Sequence, residues 1–528
     1  MRRRLAESLR SRSRGELIAW ALLVAVALAL RLYDLGARPF HHDESQDAYF
    51  SYILRTGGGY TYDPLLHGPF RFYLTALAYL LFGDSDFTAR LAPALMGTIL
   101  VALPYGLRRQ LGGVAAYAAG ILLAACPTVL YFSRFAREDI YFACLTMAMA
   151  VVAFRLIAAP RGHHPALLAA LLAITFSIKE STFITIFVAG SFLIVAVAFQ
   201  ARRAGGFTRA PLVRRGLDLG WEPWAWAVVA FLGVYTVLFT TFFTNAKGVY
   251  GLYTGLSYWL GQQPVGRGGE PVYFYVVVLF AHEWPILLLG AVGAVVVARR
   301  PTLLGVFAIW AFVVSLAVYS WAGEKFAWLA LHPLLPLILL AGLGIQAVWE
   351  ARRRWYGIAG ALVTVLALAY SGYASFLVNA EHGADPREFL VSTQSSTDVK
   401  ATAEEVLALA RKRPRLQVTV DAADGATFPW AWYFRHLNVG YLDMSTGNPP
   451  PQTSDVVFLT DESRLRLQSH LIGYDGRRFR FRVWWVRDYK AALDPGDWAR
   501  WFVHRTPWNP TGGMPEWVYV RRVVTAAG

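Results

Sequence analysis

The stretch Leu17–Leu30, LIAWALLVAVALAL, is apolar throughout, and it decides how the rest of the chain is read. Arg2, Arg3, Arg4, Arg10, Arg12 and Arg14 precede it, and it leads straight into Arg31-Leu32-Tyr33-Asp34. A cleaved signal peptide needs small residues at a cleavage point; none stands here, so the run reads as a first membrane helix. Spanning a bilayer takes roughly 20 mostly apolar residues. Runs of that kind cover 17–33, 91–107, 113–132, 140–159, 165–178, 182–200, 224–243, 273–298, 303–322, 326–348 and 356–378. They predict about eleven spans, the short 165–178 run being the weakest by length.

Composition agrees. The 528 residues are 56% hydrophobic and only 16% charged, with mean hydropathy +0.39. Soluble domains carry more charge, so lipid is the main solvent. The formal charge of +15 would suggest nucleic acid in a soluble protein. Here the excess is Arg clustered between apolar runs, which is the pattern of cytoplasmic loops, and nucleic acid is excluded as a partner. Cys126 and Cys144 lie in or beside apolar runs and make neither a disulfide framework nor a CxxC metal site.

The basic clusters set an orientation. Arg108/Arg109, Arg155/Arg161, Arg202/Arg203/Arg209/Arg214/Arg215, Arg299/Arg300 and Arg352/Arg353/Arg354 fall on alternate connections, on the side of the Arg-rich N-terminus. The expectation is a multi-pass cell-membrane protein with its N-terminus cytoplasmic and residues 379–528 outside. The membrane domain would cover 1–378, with a long first outer loop at 34–90. In the tail, 398–412 has a helical period, while 416–421, 455–459 and 478–486 read as strands. A small extracytoplasmic α/β domain follows, within the usual size of a domain. No internal repeat is visible, which counts against carriers built from inverted repeats.

Chemistry-bearing residues gather near the predicted outer face. His41-His42-Asp43-Glu44-Ser45-Gln46-Asp47 opens the first outer loop, and Asp43 and Asp47 share a helix face. A carboxylate there can take a proton from an acceptor hydroxyl or ligate a divalent metal; the alternative is an N-terminal helix cap. His67-Gly68-Pro69-Phe70 follows, with His67 a candidate for a phosphate or leaving group, and then an apolar stretch of interfacial character. Ser133-Arg134-Phe135-Ala136-Arg137-Glu138-Asp139 places two cations and two acids against membrane helices, where desolvation is costly; the alternative is an Arg134–Glu138 pair. Lys179-Glu180-Ser181 and Glu324-Lys325 are further outer clusters, Lys suiting a phosphate as a point charge. His282-Glu283 lies in or near a span, and His282 could face the same cavity, though a structural contact suits it better. Trp430, Trp432 and Tyr433 offer aromatic faces to an extended acceptor, or form the core of the outer domain.

The order of these blocks resembles a known family. Asp43-Glu44-Ser45-Gln46-Asp47-Ala48-Tyr49, then His67-Gly68-Pro69, then Ser85–Arg90 with Leu91-Ala92-Pro93, is similar to the first outer loop of C-type (GT-C) glycosyltransferases. These include dolichyl-phosphate-mannose protein mannosyltransferases and aminoarabinose lipid A transferases. The Arg134–Asp139 block and Lys179-Glu180-Ser181 resemble the related flippase-activity-associated membrane proteins. The resemblance implies a hexosyl- or pentosyltransferase that uses a polyprenyl-phosphate sugar, inverts the anomeric centre, and acts on a protein, lipid or glycan acceptor beside membrane lipids. It gives Asp43 the part of base, with Glu44 beside it, and Asp139 that of its assistant, with Glu138 adjacent. Arg137, Lys179, Lys325 and His67 would hold the donor phosphate, and Asp47, Glu180, Glu324 and His282 would line the cavity. A divalent metal, where one is used, falls to Asp43 and Asp139. The competing reading is a lipid-linked-sugar flippase or its accessory protein, but paired acids favour the enzyme, because transport alone needs no base.

Overall fold

A computed structural model describes residues 14–262, 265–490 and 494–525; the arginines at 2–12 lie outside the described residues. The chain is mostly helical and spans a membrane many times. Among the described residues nine helices are long and apolar enough to cross: Arg14–Leu32, Leu91–Leu111, Asp139–Ala158, Thr182–Ala204, Glu222–Phe239, Phe274–Arg299, Leu303–Trp321, Ala327–Ala351 and Gly357–Glu381. The two remaining runs of the expected eleven differ in kind. Gly113–Ala125 and Pro127–Ser133 meet the test only as a pair, bent by 58° between them, and His163–Phe176 is a short apolar helix, as is Phe70–Phe82.

The break has a local cause. Proline clashes with a helical conformation in the residue before it, and Cys126, ahead of Pro127, is extended (φ −69°, ψ 144°). Breaking a helix inside a membrane orphans carbonyls on one side and N–H groups on the other. The buried Arg31 guanidinium donates to the Leu123 (2.9 Å) and Ala124 (3.3 Å) carbonyls. The buried Glu283 carboxylate accepts the Thr128 N–H at 2.8 Å. Each charge also matches the dipole of the helix end it caps.

The chain divides into two compact units. One comprises 1–35, 59–78 and 90–379; the other comprises 36–58, 79–89 and 380–528. This differs from a division at residue 378, since two pieces of the 34–90 loop group with the C-terminal residues. In the first unit the Phe274–Arg299 and Leu331–Ala351 helices touch along glycines. A Cβ at Gly293 would overlap the Leu340 carbonyl, and one at Gly344 the Leu289 carbonyl. Small residues let membrane helices approach this closely.

The second unit is built on a six-stranded sheet of order β1-β5-β6-β4-β2-β3. Its strands are β1 (Gln394–Ser395), β2 (Gln417–Asp421), β3 (Asn438–Leu442), β4 (Val456–Thr460), β5 (Tyr474–Trp484) and β6 (Gly512–Arg521). β2 runs parallel to β3 and β4, and the other pairings are antiparallel. The alternation expected at 478–486 is present: Phe479 and Phe481 are buried while Arg478 and Arg480 are exposed. Trp430, Trp432 and Tyr433 are buried in this unit's core. Trp430 Nε1 bonds both Glu516 oxygens, and Trp432 Nε1 bonds Asp86. These aromatics therefore serve packing, and the faces proposed for an acceptor are covered.

Candidate active site

The centre of charge in the first unit is Glu138, a fully buried acid just ahead of the Asp139–Ala158 helix. Its Oε2 accepts from Arg71 Nη1 at 2.5 Å, and its Oε1 from Arg137 Nη2 at 2.7 Å and Lys179 Nζ at 3.0 Å. Lys179 also reaches Asp139 Oδ1 at 2.9 Å, and His332 Nε2 stands 3.6 Å from that oxygen. Burial pushes the Glu138 carboxyl up, but Arg137, Lys179, His67 and Arg71 outweigh it and hold the acid well below its usual range. Burial lowers the Lys179 pKa, yet Asp139 and Glu138 raise it further than burial depresses it. Arg137 is likewise held as a cation, burial being overcome first by Glu138, and its guanidinium lies 4.5 Å over the Trp328 ring.

His67 extends this cluster. Its Nδ1 is 2.7 Å from Glu180 Oε2, and its Nε2 is 3.5 Å from Glu138 Oε1. Tyr62 donates to the other Glu180 oxygen at 2.9 Å. Burial lowers the His67 pKa, but Glu180 and then Glu138 more than reverse this, so the imidazole binds its proton more tightly than usual. Burial raises the Glu180 carboxyl, and His67 brings it below its ordinary value.

The backbone explains how His67 is held there. The Gly68 N–H donates to the Ile178 carbonyl and the Phe70 N–H to the Ser177 carbonyl, each at 3.1 Å. The His-Gly-Pro-Phe segment thus lies along the chain that leads into Lys179-Glu180. Only glycine fits at 68, because a Cβ there would overlap the Ser177 carbonyl. His67 has φ +58° and ψ −162°, a region costing about 1–3 kcal/mol for a residue with a side chain. The surrounding bonds pin this conformation, which aims the ring between two acids.

Sequence-adjacent pairing accounts for Arg137, which bonds Glu138, while other contacts of the cluster join distant segments. Arg134 bonds the Tyr33 and Asp34 carbonyls rather than Glu138, and Lys179 bonds Glu138 and Asp139 rather than Glu180. Lys325 Nζ donates to the Ala322 carbonyl at 2.7 Å. Its backbone, like that of Gly323, pairs with Arg267. Glu324 acts electrostatically on Arg137 and Lys179. His282 is buried at the kink of the Phe274–Arg299 helix, next to the Glu283 that caps the bent pair. Arg71 and Tyr62 are not among the residues the sequence singles out.

The first-loop acids belong to the second unit. Glu44 completes a capping box of the His42–Arg55 helix: its Oε2 accepts the His41 N–H at 3.1 Å, while His41 Nδ1 accepts the Asp43 N–H. Glu44 is fully buried and pairs with Arg38 at 3.3 Å, so for this acid the cap is the geometry seen. Asp43 is 3.9 Å from His41 Nδ1, with its side chain 30% exposed. Asp47 is buried one turn later. Among the described residues no group of three or more His, Cys, Asp or Glu is arranged to hold a metal ion. Asp139 holds the Lys179 ammonium.

Comparison with solved structures places this architecture. ArnT from Cupriavidus metallidurans, bound to undecaprenyl phosphate, superposes with TM-score 0.62 at 17% identity, over 94% of this chain and 97% of that one. The fold is that of the GT-C glycosyltransferases. Two further GT-C structures are similar. The oligosaccharyltransferase AglB from Archaeoglobus fulgidus, in complex with an inhibitory peptide and a dolichol-phosphate, gives TM-score 0.50 at 15% identity, over 80% of this chain and 59% of that one. The arabinofuranosyltransferase AftD from Mycobacteria gives 0.51 at 12% identity, over 95% and 40%. A family described as dolichyl-phosphate-mannose-protein mannosyltransferase matches residues 66–204, which include His67, Arg71, Arg137, Glu138, Asp139, Lys179 and Glu180. No curated protein sequence matches this chain.

Proposed function

We propose that this protein transfers a sugar from a polyprenyl-phosphate-linked donor to an acceptor at the outer membrane face, with inversion at the anomeric carbon. The observation that carries the reading is the convergence of Arg71, Arg137 and Lys179 on the buried Glu138-Asp139 pair. Two buried cations, Arg71 and Lys179, with the partly buried Arg137, suit a lipid-linked phosphate, whose charge must be compensated once it leaves water. A relative of the same fold is bound to undecaprenyl phosphate, which supports the same donor class here.

Asp43 is the proposed base, on the resemblance of the first-loop motif and on its partly exposed carboxylate. It takes the proton of an acceptor hydroxyl; the oxygen then bonds the anomeric carbon from the face opposite the phosphate. The carbon–phosphate oxygen bond breaks, and polyprenyl phosphate leaves. Arg71, Arg137 and Lys179 stabilise the charge that grows on that phosphate, with Asp139 orienting Lys179. The basic loops support a cytoplasmic N-terminus and a sheet-bearing unit outside. Purified protein incubated with a panel of labelled polyprenyl-phosphate sugars and membrane, protein and glycan acceptors tests this. Transfer of label from at least one donor is expected. Transport of donors across liposomes without any transfer would overturn it in favour of a flippase.

A further inference from the structure

Resting on that donor-phosphate reading, we propose that His67 gates donor binding: its proton adds to the buried cluster a positive charge that favours entry of a phosphate.

Glu138, Asp139 and Glu180 face Arg71, Arg137 and Lys179, acid for cation. Glu324 acts on Arg137 and Lys179, while Lys325 turns its ammonium to the Ala322 carbonyl. Paired acids and cations thus offset one another around His67, and the imidazole proton adds one positive charge to them. His332, a second histidine here, stacks on Tyr319 and packs edge-on to Phe142. It is 3.6 Å from Asp139.

His67 is built for two protonation states of unequal worth. With both nitrogens protonated it donates to Glu180 through Nδ1 and turns its Nε2–H toward Glu138, 3.5 Å away. A neutral ring has one donor, so one nitrogen lone pair would then face a carboxylate. Lys179 opposes the proton and the two acids favour it. Tyr62 holds the far oxygen of Glu180, and Tyr60 Oη contacts the His67 carbonyl. Arg71 and Arg137 bind the same Glu138 that His67 faces. The backbone of His67 is held in a costly conformation that keeps the ring between the acids, as expected where geometry serves a site. A loss of one charge beside a phosphate in a desolvated site changes affinity by tenfold or more (about 1.4 kcal/mol per decade).

The test uses undecaprenyl phosphate methyl ester, a phosphodiester whose single charge does not change from pH 5.5 to 9.5. Its affinity for the full chain in nanodiscs is measured across that range. The expected result is a loss of about tenfold or more on the alkaline side, with the slope abolished in His67→Lys and in His67→Gln. His67→Lys should keep the acid-side affinity and His67→Gln the weak, alkaline-side one. Binding by wild type that does not vary with pH would overturn the gate while leaving the donor reading intact. No binding at any pH by folded wild type would overturn both.

Discussion

Lys179 shows how the balance of charge works on single residues. It neutralises two buried carboxylates at once, Glu138 at 3.0 Å and Asp139 at 2.9 Å. Breaking a buried pair from one side leaves an uncompensated charge, at about 3–5 kcal/mol. Lys179→Met should therefore lower the melting temperature in detergent by several degrees, and Lys179→Arg should recover part of the loss. An unchanged melting temperature in Lys179→Met would mean that the acids are not charged in the folded protein. His67 adds a pH-dependent contribution. Its folded pKa is raised, so the stability it supplies is fully present below the unfolded value of about 6.5. That stability is lost as pH rises through the higher folded value. The melting-temperature gap between wild type and His67→Gln should accordingly be widest near pH 6 and close on the alkaline side. A gap that widens with pH would contradict the sign.

Elements position these residues through a few contacts between segments distant in sequence. The His-Gly-Pro-Phe segment runs against Ser177 and Ile178, and Gly68→Ala places a methyl group on the Ser177 carbonyl. Overpacking of this kind costs about 1–3 kcal/mol. The variant should melt earlier and lose donor affinity, whereas Gly190→Ala, with open space around it, should do neither. Equal behaviour of the two alanines would remove the segment from the site. Helices were legible in the sequence because apolar runs of span length have few other uses; all eleven runs are helical. The break at Cys126 was signalled only by Pro127, and its caps by two intramembrane charges, Arg31 and Glu283. Arg71 escaped because a lone cation at the head of an apolar helix has no sequence neighbour to pair with; its partner Glu138 is distant in the chain. Lys179 was found from its setting between spans, but its partners were not, since adjacency suggested Glu180. Glu44 looked catalytic because a capping box and an acid motif share the same spacing. Periodicity located β2, β4 and β5, while the aromatics at 430–433 could be core or surface until the fold buried them.

At the scale of the molecule, the first compact unit carries the cation cluster, and the second carries the sheet, its helices and the first-loop acids. Both native cysteines are buried, so single exposed cysteines can report the sidedness of each unit. The proposed topology expects Ser469→Cys in intact cells to react with an impermeant maleimide, and Arg203→Cys to react only after lysis. The reverse pattern would invert the orientation and move the acceptor to the cytoplasm. That Asp43 acts as the base is the central proposal. The measurement that reaches it most directly is single-turnover release of polyprenyl phosphate from a labelled donor that wild type accepts, repeated with Asp43→Asn. Removing a general base costs about 10²–10⁴-fold in rate, so the variant should bind donor with near wild-type affinity and fall in transfer by that factor. Transfer by Asp43→Asn at the wild-type rate would contradict the account.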